Sequence, residues 1–248
     1  MIIDYFDIAG NPCKSYAPDE GDAELAVLAV HGFAGSKESP TIAALAKELC
    51  TTCNAIVYSF DFPVHGVHPS DDLTVSACRE ALTGVARQMC EQHASAAKAV
   101  FATSFGGYMA LLCLDELEEI LGRFSLVLRA PAVKMAETFE QTIAGEGGLD
   151  QLETIGSVEC GYGRMIVVRR HFLEELRAHD VCKPYAKPML VIHDDSDNVV
   201  TPADIADFME QNPQASLVQI PGAGHQLESG EQLGKALAAA RDYCLNPF

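Results

Sequence analysis

The sequence predicts an α/β fold: a doubly wound, mostly parallel sheet with helices on both faces and an inserted cap. Three observations predict it. Short apolar runs alternate with helical patterns, as expected for parallel strands buried on both faces. No linker rich in Pro, Gly or Ser divides the chain, which favours one domain over residues 1–248. One interval, residues 131–187, is too long for an ordinary loop and a single helix.

The order of elements follows from the periodicity of apolar residues. We predict strands over residues 24–30, 55–60, 98–102, 125–130, 188–193 and 216–220, most of which are continuously apolar. We predict helices over residues 40–51, 74–93, 107–121, 202–211 and 231–244, where apolar residues recur at helical spacing. The first twenty residues are expected to add antiparallel edge strands. In such a sheet, functional residues lie at the carboxyl ends of the strands.

The long interval, residues 131–187, is predicted to be a cap inserted within the domain. Its first part is rich in glycine, and residues 171–180 have a helical pattern. A flexible segment over a site commonly determines which substrates enter it.

The acidic composition of the chain argues against anionic binding partners. Acidic residues outnumber basic ones, 35 to 17, and the formal net charge is −18. This charge repels phosphate backbones and anionic headgroups, so neither nucleic acid nor a membrane is an expected partner. The acidic start, Met1 to Asp7, lacks the basic stretch and apolar core of a secretion signal. We therefore expect a cytoplasmic protein, and the sequence leaves a homodimer open.

The cysteines suit a reducing compartment. There are nine, an odd number, and they are scattered rather than arranged as a disulfide framework. Cys50 and Cys53 form one C-x-x-C pair, but no second pair follows at the spacing of a zinc site. We expect thiols buried or at a helix end, and no metal.

A serine stands where a predicted strand gives way to a predicted helix, in the stretch Ala102-Thr103-Ser104-Phe105-Gly106-Gly107. This is the layout of a nucleophile elbow, in which a sharp turn exposes the hydroxyl to a base and to backbone N–H groups. Small flanking residues allow the backbone to turn that tightly. Ser104 is therefore the candidate nucleophile.

Three other loops supply groups that would complete such a site. His31-Gly32-Phe33 follows the first core strand, and the N–H of Phe33 could donate to an oxyanion together with the N–H of Phe105. Several carboxylates follow the strand that ends at His193, and a glycine-rich turn after the last strand carries His225. The order Ser, Asp, His places these side chains at one edge of the sheet.

On these motifs the chain resembles the α/β-hydrolase superfamily over nearly its whole length. Within it, the chain is most similar to the feruloyl/cinnamoyl esterase group and its serine-aminopeptidase-like relatives. The stretches that carry this resemblance are His31-Gly32-Phe33-Ala34-Gly35-Ser36-Lys37, Phe60-Asp61-Phe62 with His65-Gly66, Tyr185-Ala186-Lys187-Pro188-Met189-Leu190-Val191-Ile192-His193, Asp197-Asn198-Val199-Val200 and Gly224-His225.

The resemblance implies a role for each candidate. Ser104 would be the nucleophile, His225 the general base and acid, and Asp197 the carboxylate that orients the imidazole. The N–H groups of Phe33 and Phe105 would form the oxyanion hole. The implied reaction is acyl transfer from a small-molecule ester to water, which needs no metal or organic cofactor.

The sequence departs from the family pattern at three places. Ala102 replaces the first glycine of the elbow, and alanine is small enough for the elbow to form. Asp194 stands where relatives usually have glycine, so Asp194 and Asp195 remain alternatives to Asp197 as the triad acid. The stretch Pro63-Val64-His65-Gly66 lacks the Arg or Asn that relatives often carry beside Gly-His-Gly, which puts the hydrogen bonding of that loop in doubt.

Candidate substrate-binding residues are His31, Gly32, Arg129, Met135 and Phe139. We expect His31 to support the oxyanion loop rather than to act as a base. Arg129 follows the strand before the cap and would either bind an anionic acyl group or pair with an acid. Met135 and Phe139 would join Phe33 and Phe105 in an apolar acyl pocket, or else pack beneath the cap.

The function predicted is that of a serine carboxylesterase acting on small or aromatic esters. The same triad serves other acyl-transfer reactions, so a serine-aminopeptidase-like peptidase is one alternative. A hydrolase-fold protein that binds a small molecule with little turnover is another. Measurable turnover distinguishes either enzyme from such a binding protein.

Overall fold

The apolar runs of the sequence form the strands of a mixed sheet. The computed structural model describes residues 1–145, 147–161, 164–226 and 230–246. The strands are β1 (Ile2–Ile8), β2 (Asn11–Ala17), β3 (Leu25–Val30), β4 (Ala55–Phe60), β5 (Ala97–Thr103), β6 (Phe124–Arg129), β7 (Ser157–Cys160), β8 (Ile166–Arg169), β9 (Leu190–His193) and β10 (Ser216–Gln219). All but β7 and β8, which pair with each other, belong to one sheet in the order β1-β2-β4-β3-β5-β6-β9-β10.

Strand directions confirm the predicted doubly wound fold. From β4 across to β10 neighbouring strands are parallel. At the other edge β1 and β2 are antiparallel, as expected for the first twenty residues. The carboxyl ends of β3, β5, β6, β9 and β10 therefore meet at one edge, and the loops that follow these strands carry the candidate site.

The helices are α1 (Pro40–Thr52), α2 (Val75–Gln92), α3 (Phe105–Leu112), α4 (Leu114–Leu121), α5 (Met135–Ala144), α6 (Gly148–Thr154), α7 (Arg170–Ala178), α8 (Pro202–Gln211) and α9 (Gly230–Leu245). The helix predicted over 107–121 is in fact two, α3 and α4, which meet at Cys113. Helix α3 is buried along nearly its whole length, whereas α4 is amphipathic, and the break at Cys113 separates these two environments. None of the helices in the described part of the chain has the length and apolar character needed to cross a membrane.

Alternate residues of the strands pack on opposite faces of the sheet. Leu126 and Leu128 of β6 belong to a core with α2 and α3. Val127, between them, belongs to a second core with α1 and α9. Because side chains alternate along a strand, Arg129 at the end of β6 lies on the α1/α9 face.

The interval predicted as a cap contains α5, α6, β7, β8 and α7 in its described part, and its residues 146, 162 and 163 lie outside the described residues. Its buried side chains, among them Phe139 and Phe172, belong to the same core as α2 and α3. The interval therefore packs on one face of the domain and shares its core.

Candidate active site

Ser104 lies on a strained turn between β5 and α3. Its φ is 51° and its ψ is −116°, a left-handed conformation that a residue with a Cβ rarely adopts. The two glycines that follow permit the turn. A Cβ at Gly106 would lie 2.6 Å from the carbonyl oxygen of His31, and one at Gly107 would lie 2.8 Å from the Cβ of Pro131. Ala102, where relatives have glycine, is fully buried within β5.

The structure brings Ser104, His225 and Asp197 into one hydrogen-bonded series. His225 Nε2 lies 3.1 Å from Ser104 Oγ, and His225 Nδ1 lies 2.8 Å from Asp197 Oδ2. Asp197 also accepts hydrogen bonds from the N–H groups of Val199 and Val200 through its other oxygen. Burial acts to raise the pKa of Asp197, but the hydrogen bond from His225 and these N–H groups outweigh it, so the pKa lies below its usual range. The carboxylate is therefore ionised at neutral pH.

Asp194 and Asp195 take other positions. Asp194 is buried and accepts hydrogen bonds from both the N–H and the hydroxyl of Ser196, and from the N–H groups of Gly222 and Gly224. It thereby joins the loop after β9 to the loop that carries His225. Burial acts to raise its pKa, but these hydrogen bonds hold the pKa far below its usual range. Asp195 is exposed.

The loop after β3 packs directly against the elbow. A Cβ at Gly32 would lie 3.3 Å from the Cβ of Ser104, so glycine permits this close approach. Phe33, the next residue, lies in this loop, and Phe105 is the first residue of α3, where N–H groups have no acceptor within the helix. Both predicted oxyanion donors are thus in segments that adjoin Ser104.

His31 stabilises this loop through two hydrogen bonds to the main chain. Its Nε2 accepts from the N–H of Phe62 at 3.2 Å, so its Nδ1 carries the proton and donates to the carbonyl oxygen of Gly32 at 2.7 Å. Burial lowers the pKa of His31 to about 4, which keeps the ring neutral. These contacts are those of a residue that fixes the loop, although His31 also lines the cleft beside Ser104.

A buried ion pair joins the same loop to the segment after β4. Lys37 Nζ lies 2.6 Å from Asp61 Oδ2, and both side chains are buried. Asp61 also accepts from the N–H groups of Lys37 and Val67. Gly66 has φ 56°, and a Cβ there would overlap the Asp61 carboxyl group. In the sequence Lys37 and Asp61 stand only within motifs, and their contact depends on β3 and β4 being neighbours in the sheet.

A cleft of about 270 Å³ opens beside Ser104. Of the predicted residues, it is lined by Ser104, His225, His31, Gly32, Phe33 and Arg129. Its other lining residues are Ala34, Gly35, Ser36, Glu38, Ser39, Pro40, Thr41, Thr103, Arg164 and Gln226. Sequence analysis missed Arg164, which precedes β8 and reaches the cleft only because the β7–β8 hairpin lies against the loop at Gly66.

Met135, Phe139 and Phe105 lie away from this cleft. Their exposed fractions are 5%, 1% and 0%. The ring of Phe33 packs against Phe105, Phe139 and Phe172, with centroids 6.1, 5.6 and 6.4 Å apart. In this structure Met135, Phe139 and Phe105 are thus buried with the core beneath the inserted segment, which is the second of the two arrangements expected for the cap residues.

Arg129 contacts two members of the series, Ser104 and His225. Its guanidinium donates to the main-chain carbonyl oxygen of His225, and its own carbonyl oxygen accepts from the N–H of Ser104 at 3.0 Å. His193, which sequence analysis left without a role, lies with its Nδ1 3.9 Å from Asp197 Oδ2. Burial lowers the pKa of His193, so it is neutral beside the carboxylate.

The cysteines carry no metal site within the described residues, where no cluster of potential ligands occurs. Each of the nine is a free thiol. Cys50 is buried near the end of α1 and Cys53 follows that helix, as predicted from their spacing.

Comparisons with known proteins agree with the fold. The model of the alpha/beta hydrolase family matches residues 27–240. The chain is 24% identical over 252 residues to the sn-1-specific diacylglycerol lipase ABHD11 of Mus musculus, covering 87% of this chain and 80% of the lipase.

Solved structures show the same architecture. Est1E from Butyrivibrio proteoclasticus with bound ferulic acid superposes with a TM-score of 0.77 at 20% identity, covering 98% of each chain. The esterase domain of a Rhodothermus marinus protein gives a TM-score of 0.75 at 19% identity, again covering 98% of each chain. Esterases and lipases are therefore among the proteins that this chain is similar to.

Proposed function

The chain belongs to the α/β-hydrolase family, and we propose that it is a serine carboxylesterase that cleaves small or aromatic esters through an acyl-enzyme. The observation that carries this proposal is the series Ser104–His225–Asp197, with distances of 3.1 and 2.8 Å between the reacting groups. A serine hydroxyl is a weak nucleophile, and an adjacent base that is itself oriented by a carboxylate activates it.

The proposed reaction has two halves. In the first, Ser104 Oγ attacks the ester carbonyl while His225 Nε2 takes its proton, and the N–H groups of Phe33 and Phe105 stabilise the oxyanion. The C–O bond to the alcohol then breaks, and His225 returns the proton to the departing oxygen. In the second half, water loses a proton to His225 as its oxygen bonds to the acyl carbon. The bond from that carbon to Ser104 Oγ then breaks, the carboxylic acid leaves, and His225 returns the proton to Oγ.

Asp197 gives His225 its orientation in both halves. Its ionised carboxylate accepts from Nδ1 and stabilises the imidazolium that forms when Nε2 is protonated. The contacts of Asp194 with Gly222 and Gly224, and of Arg129 with the His225 carbonyl, hold the histidine loop from two sides. This positioning supports turnover over binding alone, because a binding site has no need of an oriented imidazole.

Labelling with a fluorophosphonate probe, together with hydrolysis of short 4-nitrophenyl esters, tests the proposal. We expect the natural chain to be labelled and active, Ser104→Ala to lose both properties, and the matched control Ser95→Ala, at an exposed serine, to keep both. Absence of labelling and turnover in the folded natural chain would refute the proposal. Faster cleavage of aminoacyl 4-nitroanilides than of esters would establish the peptidase alternative instead.

A further inference from the structure

We propose that the cleft beside Ser104 recognises a carboxylate, so that the ester cleaved by this protein carries a second, ionised acid group. This inference names the substrate class of the site and rests on the proposed function. Three features of the described residues support it: the open cleft beside Ser104, the two arginines that line this cleft, and the N-terminal end of α1, which faces it.

The open space beside Ser104 lies on one face of the sheet. On the α2/α3 face, the rings of Phe33, Phe105, Phe139 and Phe172 pack on one another, and of these four only Phe33 also lines the cleft. On the α1/α9 face, the cleft of about 270 Å³ extends from Ser104 and His225. A substrate group next to the reacting carbonyl can therefore extend into this cleft, which polar and apolar residues line together.

Two guanidinium groups line that cleft. Arg129 is only 4% exposed, and its bond to the His225 carbonyl fixes it beside the site. Arg164 is exposed and donates to the carbonyl oxygen of Gly66, which anchors it at the rim. An arginine side chain presents a planar fork of donors that matches a carboxylate, and it stays charged at every working pH.

The carboxylate that lines the cleft does not cancel these charges. Glu38 is engaged by Lys14, whose Nζ lies 2.6 Å from Glu38 Oε2. The ionised Asp194 and Asp197 are hydrogen-bonded to the histidine loop and do not line the cleft. The charged groups that line it are therefore the two guanidinium groups and a carboxylate already paired with a lysine, in a chain whose formal net charge is −18. The acidic surface elsewhere disfavours anions, so these guanidinium groups would be the selective point of contact for a carboxylate.

The start of α1 adds to the same field. Ser39, Pro40 and Thr41 line the cleft, and Ser39 is the N-cap of this helix. The N-terminal end of a helix carries a partial positive charge and favours anions. This contribution is small compared with two arginines, but it has the same sign and faces the same space.

Matched esters test the inference. Mono-4-nitrophenyl adipate and 4-nitrophenyl hexanoate have the same leaving group and the same acyl length, and only the adipate has a terminal carboxylate. The adipate is used instead of the succinate because the carboxylate of a succinate would attack its own ester. On the alcohol side, the hexanoate esters of 4-hydroxybenzoate and 4-hydroxybenzamide form the equivalent pair. We expect at least about a tenfold higher kcat/KM for the charged ester of one pair, decreasing as salt is added. Equal rates within both pairs would overturn the inference.

Substitution of Arg164 tests the source of the preference. We expect Arg164→Gln to reduce the preference for the charged ester roughly tenfold, mainly through KM, and Arg164→Lys to retain part of it. The matched control is Arg177→Gln, an arginine of the same inserted segment that pairs with Glu140 and does not line the cleft, and it should leave the preference unchanged. A preference that survives in Arg164→Gln unaltered would show that this arginine is not a recognition residue.

Binding to the Ser104→Ala variant separates this inference from the proposed function. Calorimetry should show tighter binding of monomethyl adipate, or of methyl hydrogen terephthalate, than of the dimethyl ester of the same acid. Charge-selective binding together with an inactive natural chain would refute the esterase and support the carboxylate site. Ester hydrolysis with no charge selectivity in binding or rate would support the esterase and refute the site.

Discussion

At the scale of single residues, the proposed chemistry depends on Ser104 and His225 working as one unit. The hydroxyl is not activated without the imidazole, and the imidazole has no nucleophile to activate without the hydroxyl. Replacing either residue with alanine should therefore lower kcat on the order of 10⁶-fold, and replacing both should cost little more. Steady-state hydrolysis of a 4-nitrophenyl ester measures these losses. If the losses of the two single variants multiply in the double variant, the two residues do not share a role.

Substitution of Asp197 is expected to lower kcat less than substitution of Ser104 does, and more than substitution of Asp195 does. Its Oδ2 orients His225, so Asp197→Asn should lower kcat on the order of 10⁴-fold by favouring the wrong histidine tautomer. Asp195 is exposed, and Asp195→Asn is the matched control, with an expected change within about twofold. An equal loss of kcat in both variants would show that Asp197 is not the carboxylate that orients His225.

Single residues also show what sequence alone can reach. The elbow at Ser104 and the loop at Gly32 could be predicted because small residues mark both segments in the sequence. The structure explains these glycines: a Cβ at Gly106 would overlap the His31 carbonyl oxygen, and one at Gly32 would lie tightly against Ser104. The choice among the three acids after β9 could not, because it depends on which carboxylate reaches His225 across two loops. Arg164 was missed for the same reason, since its place in the cleft depends on the packing of a distant hairpin.

At the scale of elements, the ion pair of Lys37 and Asp61 joins the loop after β3 to the segment after β4. Asp61→Asn would leave the buried ammonium of Lys37 without its counter-charge, so it should lower the free energy of unfolding by about 3–5 kcal/mol. Urea denaturation measures the change.

The control for this prediction is a surface pair. Glu140→Gln removes the partner of the exposed Arg177, and the expected change is about 0–1 kcal/mol. A loss at Asp61 no greater than that at Glu140 would mean that the buried pair does not fasten these loops.

Elements were predicted best where periodicity was strong. The strands β3 to β6 and the helices α1, α2 and α8 lie where their apolar patterns placed them. The division of one predicted helix into α3 and α4 was missed, because the break at Cys113 reflects a change from buried to exposed surroundings and not a Gly or Pro. For Phe139 the sequence leaves two arrangements open, an acyl pocket or packing beneath the cap, because ring packing is a tertiary property.

At the scale of the whole molecule, buried neutral histidines make stability depend on pH. Burial lowers the pKa of His31 to about 4 and that of His65 to about 3. In the unfolded chain histidine has a pKa of about 6.5, so below that pH the unfolded state binds more protons than the folded state. The free energy of unfolding should therefore fall as the pH is lowered from about 6.5 to about 4.

Buried carboxylates with lowered pKa values also make the free energy of unfolding fall as the pH is lowered, but in a lower pH range than the histidines. The lowered pKa values of Asp61, Asp194 and Asp197 cost stability as the pH falls below about 5, where unfolded carboxylates begin to take up protons. Urea denaturation between about pH 6.5 and pH 5 therefore measures the contribution of the histidines. His65→Phe should reduce the slope there by up to about 1.4 kcal/mol per pH unit, and an unchanged slope would exclude His65 as a contributor.

The proposed mechanism requires a covalent acyl group on Ser104, and mass spectrometry of the rapidly quenched reaction detects it. During turnover of a 4-nitrophenyl ester, we expect one acyl group per chain, located by peptide mapping on Ser104 and absent from Ser104→Ala. Turnover in Ser104→Ala at the natural rate, or an acyl group on a different residue, would contradict it.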